Sequence, residues 1–377
     1  MSDAILLFGE TMHHSRILWR TGFLAGDPIV YVERDGVGTL VVPSMELGRA
    51  RLQGGVKDVR SLNDFGFTEI RHADGEPAAY AAVVGALLKE LGTDRVVVEP
   101  DCPLWLARVL EAHDIVVEAD EELFAKEMRR KTPEEQEMIL RSQRAGQKGM
   151  DAAQEMLAAA EVRDGALYLD GEPLTSERVI AGIDIALLAE GCVGDGTIVA
   201  GGPGGADPHV SETGHLRAGE PVIVDIFPVH KGTRYYGDMT RTFVVGEPNE
   251  TWLKMYDATL AAYKAALAML RDGVNGRDVH LAVCQTYVDA GFDTTVKGYS
   301  NPGAPSFIHG TGHGLGLEIH EWPRLSDVDV TLREGDVVTI EPGLYDPTIG
   351  GVRIEDSVVI TADGYRNLTD YPTTWKL

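Results

Sequence analysis

Three of the chain's eleven histidines, His309, His313 and His320, fall within twelve positions in the run FIHGTGHGLGLEIHEW, residues 307–322. Imidazole is the common metal ligand and the side chain that titrates near neutrality, so the cluster points to coordination or proton transfer. Four carboxylates keep it company. Asp225 stands inside VIVDIF (222–227), Asp238 opens the returning half of the same apolar hairpin, Glu341 ends VVTIE (337–341), and Glu355 sits in VRIED (352–356). Strand propensity and burial both disfavour a carboxylate there, and the cost is on the order of several kcal/mol unless the group is paired or coordinated.

Four ionised carboxylates gathered in one apolar site repel one another, and some would be protonated without compensation. Two divalent cations supply that compensation, leaving a neutral imidazole and a bridging hydroxide to complete the coordination. Oxygen-rich, thiolate-free ligation with one imidazole suits Mn²⁺ or Co²⁺ more than structural Zn²⁺, although zinc binds such sites in vitro. Two ions about 3.5–4 Å apart activate a shared water and stabilise the tetrahedral oxyanion of an amide under attack.

Competing motifs fail on inspection. His309 and His313 have the i, i+4 spacing of a zincin helix, but Gly310 replaces the needed glutamate and the flanking glycines oppose a helix. The stretch reads as neither an ordinary helix nor an ordinary strand. GTGHGLG and GGPGG contain no GxGxxG, no GK[ST] follows them, and no GxSxG is present. Cys102, Cys192 and Cys284 are far apart, without CxxC spacing, and read as free thiols of a reducing compartment.

The elements that must position these groups fall into two domains. The 377 residues are 44% hydrophobic, enough for two cores. With 34 basic against 59 acidic residues, the net charge of -25 disfavours nucleic acid and anionic membrane as partners. The start MSDAILLFGE has no basic n-region, and no run of 18 apolar residues occurs, so the expectation is a cytoplasmic protein. Residues 1–125 read as a small α/β domain: apolar runs 28–32 and 39–42 flank the turn Arg34-Asp35-Gly36. An amphipathic helix follows over 77–91, stopped by Gly92. The charged stretch 118–136 reads as a linker, with the boundary near 122–126. A helix then starts at Thr132, with Pro133 at its first position and Glu135 completing a capping box, and runs to about 160; another lies between Thr175 and Gly191. Residues 126–377 then alternate strands and helices. The stripe Trp252, Met255, Tyr256, Leu260, Tyr263, Leu267 and Leu270 keeps helical spacing and reads as core, and 278–290 as a second helix.

At these residues the sequence resembles the pita-bread metallopeptidases, which include prolidase, aminopeptidase P and methionine aminopeptidase. The motifs DMTRTF, HGTGHGLGLEIHE, EPG and RIED carry the resemblance, from about Thr132 onward. It implies an α/β N-terminal domain (1–125) followed by an α+β pita-bread, creatinase/aminopeptidase-like catalytic domain (126–377). It implies five metal ligands, Asp225, Asp238, His313, Glu341 and Glu355, with catalytic roles for His309, His320 and Glu341. His209 and Arg324 would bind substrate, and Arg353 would brace the carboxylates. WRTGFLAGDP in the leading third resembles the N-terminal domain of prolidases and aminopeptidases P, which favours Xaa-Pro peptides as substrates and a homodimer as the assembly. One departure is visible: Asp225 and Asp238 are 13 apart, two more than the usual 11, so a longer turn is expected at 228–233. Two extra residues preserve the alternation that points both inward. The implied activity is hydrolysis of Xaa-Pro dipeptides by a dinuclear-metal enzyme. An Xaa-Pro aminopeptidase, a non-peptidase hydrolase or lyase, and a metal-free binding module are the alternatives on the same fold.

Overall fold

The computed structural model describes residues 3–194, 196–211 and 214–377. The chain divides into two compact units, Met1–Met128 and Arg129–Leu377.

The first unit is built on a six-stranded sheet in the order Asp58–Ser61, Val37–Val42, Ile29–Arg34, Ala4–Gly9, Arg95–Val98, Val116–Ala119. The hairpin expected around Asp35-Gly36 is present, as is the helix Glu76–Leu91, closed by Gly92 in the left-handed region. Ala4–Gly9 lies between Ile29–Arg34 and Arg95–Val98 and is almost wholly buried, so its short apolar run is an inner strand, a role its length in the sequence did not announce.

The second unit sets helix pairs behind sheets. Thr132 caps Pro133–Ala158 with the expected reciprocal box to Glu135, and this helix pairs with Ser176–Ala189, capped by Thr175. Both pack on a three-stranded antiparallel sheet, Ile198–Gly201, Pro221–Ile226 and Met239–Val244. Val222, Val224, Ile226, Met239 and Phe243 turn toward the helices and join Ala145, Met150, Ile183 and Leu187 in one core. Side chains alternate across a strand, so Asp225, Thr240 and Thr242 turn to the opposite face. The second pair, Glu250–Met269 and Gly276–Asp289, backs a five-stranded sheet in the order Glu321–Leu325, Gly312–Gly314, Val337–Ile340, Asp356–Ile360, Tyr365–Asn367. The aromatic stripe is core, with Trp252, Met255, Tyr256 and Tyr263 buried against Val338, Ile340 and Val358. By the same alternation Thr339, Glu341 and Ser357 look away from those helices.

Two expectations need correction. Gly312–Gly314 is a strand, paired with both Glu321–Leu325 and Val337–Ile340. Glycine weakens a strand in isolation, but here backbones approach too closely for a side chain: a Cβ on Gly312 would meet the Thr339 carbonyl oxygen at 1.8 Å, and one on Gly314 the Trp322 carbonyl at 2.3 Å. The stretch read as a linker is ordered. It contains the helix Ala125–Arg129, and its charges make buried ion pairs, Arg129 with Asp336 and Lys131 with Glu321. Among the described residues, no helix is long and apolar enough to cross a membrane.

Candidate metal centre

The strand Pro221–Ile226 presents Asp225 opposite Thr240 of Met239–Val244. Asp238, one residue before that return strand, shares the face of Asp225 because the two differ by an even step in register. The longer turn does not disturb this pairing: the register continues from Ile226–Met239 to Val229–Tyr236, and Pro228–His230 pairs on its other edge with Cys192–Gly194. Three groups fix the main chain of Asp238. Its N–H donates to Gln143 Oε1 at 2.8 Å, and its carbonyl accepts from Gln143 Nε2 at 3.0 Å and Ser357 Oγ at 2.9 Å. Gln143 Nε2 also donates to Thr369 Oγ1.

His313 stands on the glycine strand, buried, with its Nδ1 3.1 Å from the Gly314 carbonyl. A carbonyl only accepts, so Nδ1 carries the proton and Nε2 presents a bare lone pair. That Nε2 lies 3.6 Å from Asp238 Oδ2 and 3.5 Å from Glu341 Oε1. These are acceptors facing acceptors at more than hydrogen-bond length, an arrangement that a cation resolves. Asp238, His313 and Glu355 each offer a ligand atom, all within 4.8 Å of one another. Asp225 and Glu341 lie outside that trio, and Asp225 Oδ1 is buried with no hydrogen-bond partner. Its other oxygen accepts from Arg353 Nη2 at 2.7 Å. Thr240 Oγ1 donates to Glu355 Oε2 at 2.7 Å and accepts from Arg353 Nε at 3.2 Å.

The electrostatics agree with the donor chemistry. In the protein alone, burial pushes the carboxyls of Asp238 and Glu355 well up, and neighbouring carboxylates add to the shift. Burial pushes Glu341 up to about 8, Asp225 adding to the rise and Arg353 opposing it. Carboxyls that cannot ionise together unaided, an orphaned buried oxygen and a neutral imidazole with its lone pair aimed at them fit divalent metal ions.

A cavity of about 520 Å³ opens on this centre, lined among others by His209, His309, His320, Arg324, Glu341 and Arg353. All the residues singled out in the sequence meet there. His320 is exposed, its ring edge-on to that of His313 at 4.4 Å between centroids. His209 is exposed at the rim. Arg324 is the registered partner of His313 across the antiparallel pair, also exposed. His309 is held on both nitrogens: Nδ1 donates to the Gly310 carbonyl, and Nε2 lies 2.7 Å from the Tyr345 hydroxyl. Burial drives its pKa down to about 3, so the ring is neutral. Sequence reasoning missed Tyr345, Gln143 and Thr240. The one signal for Tyr345 was its place in GLYD, four residues past Glu341.

The model of metallopeptidase family M24 matches residues 137–362, more than half of the chain. The chain belongs to this family. Metallopeptidases of family M24 are dinuclear, and the catalytic unit has the pita-bread fold. The sequence is 36% identical over 219 residues to the Xaa-Pro dipeptidase of Pyrococcus furiosus, a match that covers 56% of this chain and 59% of that protein. It is 37% identical over 201 residues to the probable dipeptidase PepE of Mycobacterium tuberculosis, covering 52% of this chain and 50% of the relative. The match thus spans between half and three fifths of the length of these curated relatives. In structure, the chain is similar to the prolidase of Pyrococcus furiosus, with a TM-score of 0.78 at 26% identity, covering 98% of this chain and 97% of that one. It shares the fold of the X-Pro aminopeptidase of Thermotoga maritima, with a TM-score of 0.81 at 22% identity over 100% of this chain and 97% of that one.

Proposed function

We propose that this M24 protein is an Xaa-Pro dipeptidase working with two divalent ions, manganese by preference. The observation that carries the reading is the registered pair His313–Arg324: a guanidinium stands beside the metal centre, on the cavity wall, where the free carboxylate of a dipeptide would end. Arginine holds a carboxylate with two hydrogen bonds, and such a cation is what selects dipeptides over longer chains. The names of the relatives support the same substrate class.

Asp225, Asp238, His313, Glu341 and Glu355 would hold the ions. Bound there, the ions supply a nucleophilic water at neutral pH and stabilise the charge that develops on the scissile carbonyl oxygen. The remaining work falls to side chains. Glu341, with 19% of its side chain reaching the cavity, receives the proton from the attacking water and passes it to the prolyl nitrogen as the C–N bond breaks. His320, at the cavity mouth, donates an N–H toward the carbonyl oxygen of the substrate; partial desolvation and the nearby Arg324 guanidinium lower its pKa. Arg324 takes the terminal carboxylate, and His209 closes the rim beside it. His309 fixes its segment through Gly310 and Tyr345, and any proton it exchanges passes through the Tyr345 hydroxyl.

The second reading, an Xaa-Pro aminopeptidase, is favoured by the cavity itself, whose 520 Å³ has room beyond two residues. Incubation of the manganese-loaded protein with Ala-Pro, Ala-Pro-Ala and Ala-Ala decides. Cleavage of Ala-Pro ahead of the other two is expected; faster cleavage of Ala-Pro-Ala moves the assignment to aminopeptidase, and no cleavage of either proline peptide removes both.

A further inference from the structure

His280 is a buried imidazole with no part in the chemistry described above. It lies on the helix Gly276–Asp289, on the face that enters the core with Val279, Val283, Cys284 and Tyr287, and is 3% exposed. An imidazole among apolar side chains costs free energy unless its nitrogens find partners. One partner is specific: Nδ1 lies 2.9 Å from the hydroxyl of Thr311, itself fully buried. The other nitrogen faces the Cys284 Sγ at 3.8 Å, a weak partner one turn along the same helix. Burial lowers the pKa of His280, the Asp327 carboxylate opposing, so the ring is a neutral hydrogen-bonding group.

Thr311 stands between His309 and His313 in HGTGH, with a glycine on either side. Its side chain is therefore the one handle by which a neighbouring element can hold residues 310–312. Its main chain is used as well: the N–H donates to the Leu325 carbonyl at 2.7 Å, next to Arg324, and the carbonyl accepts from the Glu341 N–H at 2.8 Å. Three elements thus meet at one threonine, and His280 is how the helix reaches it. The Phe307 ring, tilted against His280 at 5.6 Å between centroids and edge-on to His309 at 4.9 Å, packs beside the same segment.

We infer that His280 is a positioning residue for the reaction: through the Thr311 hydroxyl it fixes the segment 309–313, and through the Thr311 carbonyl the main chain of Glu341, so that the proton-transfer carboxylate keeps its place relative to His309 and His313. The inference rests on the peptidase reading and deepens it. An apolar residue of similar size at position 280 would fill the core but leave the Thr311 hydroxyl buried without this partner. The hydroxyl would then turn to another acceptor and carry the glycine-flanked segment with it. Small shifts matter, since a misplacement of about 1 Å can cost on the order of 10²-fold in rate.

The test uses His280→Leu, which keeps the bulk, His280→Asn, whose amide returns a polar atom near the place of Nδ1, and Thr311→Val, which removes the hydroxyl alone. On manganese-loaded protein with Ala-Pro and Ala-Pro-Ala, His280→Leu and Thr311→Val should each lower kcat about tenfold with KM and metal content unchanged. His280→Asn should regain most of that loss. Combining His280→Leu with Thr311→Val should be no worse than either alone, because both remove the same contact. Hydrogen exchange gives a readout apart from catalysis: in His280→Leu the amides of 307–313 and 337–343 should exchange faster, while those of the helix Pro133–Ala158 keep their protection. Losses that multiply in the combined variant, an Asn no better than Leu, or a Thr311→Val with the kcat of wild type overturn the inference, and Thr311→Val decides if neither variant at 280 folds. If wild type cleaves neither proline peptide, the peptidase reading falls; exchange of the two segments still decides whether His280 holds them, and protection equal to wild type removes the inference as well.

Discussion

The Tyr345 hydroxyl joins His309 to Arg353: it lies 2.7 Å from His309 Nε2 and accepts from Arg353 Nη1 at 3.0 Å. Arginine can only donate, and His309 keeps its proton on Nδ1 for the Gly310 carbonyl, so the hydroxyl proton must point at Nε2. The sequence continues through Arg353 Nη2 to Asp225 Oδ2, which ties one acid of the centre to a histidine of the cavity wall.

Removing that hydroxyl tests the connection. Tyr345→Phe keeps the buried ring and should lower kcat on the order of 10²-fold, the scale of a positioned proton-transfer group, with metal content unchanged. An unchanged kcat would show that His309 and Arg353 work independently of it.

The histidines should separate by role. His313→Ala and Asp238→Asn are expected to lower bound metal, measured by elemental analysis, because each removes a donor from the compact trio. His320→Ala and His309→Ala should retain the metal and lower kcat by about 10²-fold. Metal loss on His320→Ala with retention on His313→Ala would mean that the ligand is the other histidine.

Arg324→Ala leaves a substrate carboxylate desolvated without its cation. Hydrolysis of Ala-Pro should fall more than about tenfold, consistent with the roughly 2–5 kcal/mol cost of an unpaired buried charge, while Ala-Pro-Ala is affected less. Equal loss on both peptides would place Arg324 outside carboxylate binding.

Stability should depend on pH in opposite ways with and without metal. Glu341 has its folded pKa raised to about 8 from 4.5, so in the metal-free protein it favours the fold below about pH 4.5. Between 4.5 and 8 the unfolded chain releases this proton first, and stability falls as pH rises. Asp238 and Glu355 are raised as well and act in the same direction. The Tm of chelated protein should therefore drop from pH 5 to pH 8, whereas manganese-loaded protein should not follow it. A chelated Tm that climbs over that interval would contradict the repulsion argument.

Lys131 and Glu321 form an ion pair with side chains 2% and 9% exposed, and Glu321 Oε1 also accepts from the Glu318 N–H in the loop that carries His320. A Cβ on Gly316 would stand 2.5 Å from that carboxylate. Lys131→Met should cost about 3–5 kcal/mol by stranding the buried acid, read as a shift in denaturant midpoint. Combining it with Glu321→Met should recover part of the loss. A single variant as stable as wild type would show that water reaches the pair.

Much of the centre was legible because its signal is a contradiction. Asp225 within VIVDIF and Glu341 after VVTI violate strand chemistry, and only a partner of opposite charge makes such positions tolerable. The capping box at Thr132 was equally readable, since it is a local pattern. Tyr345 and Gln143 were not, because a tyrosine in a strand and a glutamine on a long helix are ordinary in sequence and acquire meaning only from contacts 36 and 95 residues away. The strand Gly312–Gly314 was hidden for a related reason: its propensity argues against it, and close approach of three backbones argues for it. Lys131 fell within the charged stretch read as a linker, and its partner lies 190 residues on.

The Gln143 amide grips both Asp238 and Thr369, positions 95 and 226 residues from it in the chain. Contacts of such separation form late, because long loops must close before they are rewarded. On the ribosome, the strand that follows Asp238 can pair with its neighbours long before Thr369 has emerged. Its acids are then gathered but not clamped. Metal capture at full affinity accordingly belongs to the end of folding, and a nascent chain halted before residue 369 would have its ligand acids through Glu355 in hand without the brace that fixes them.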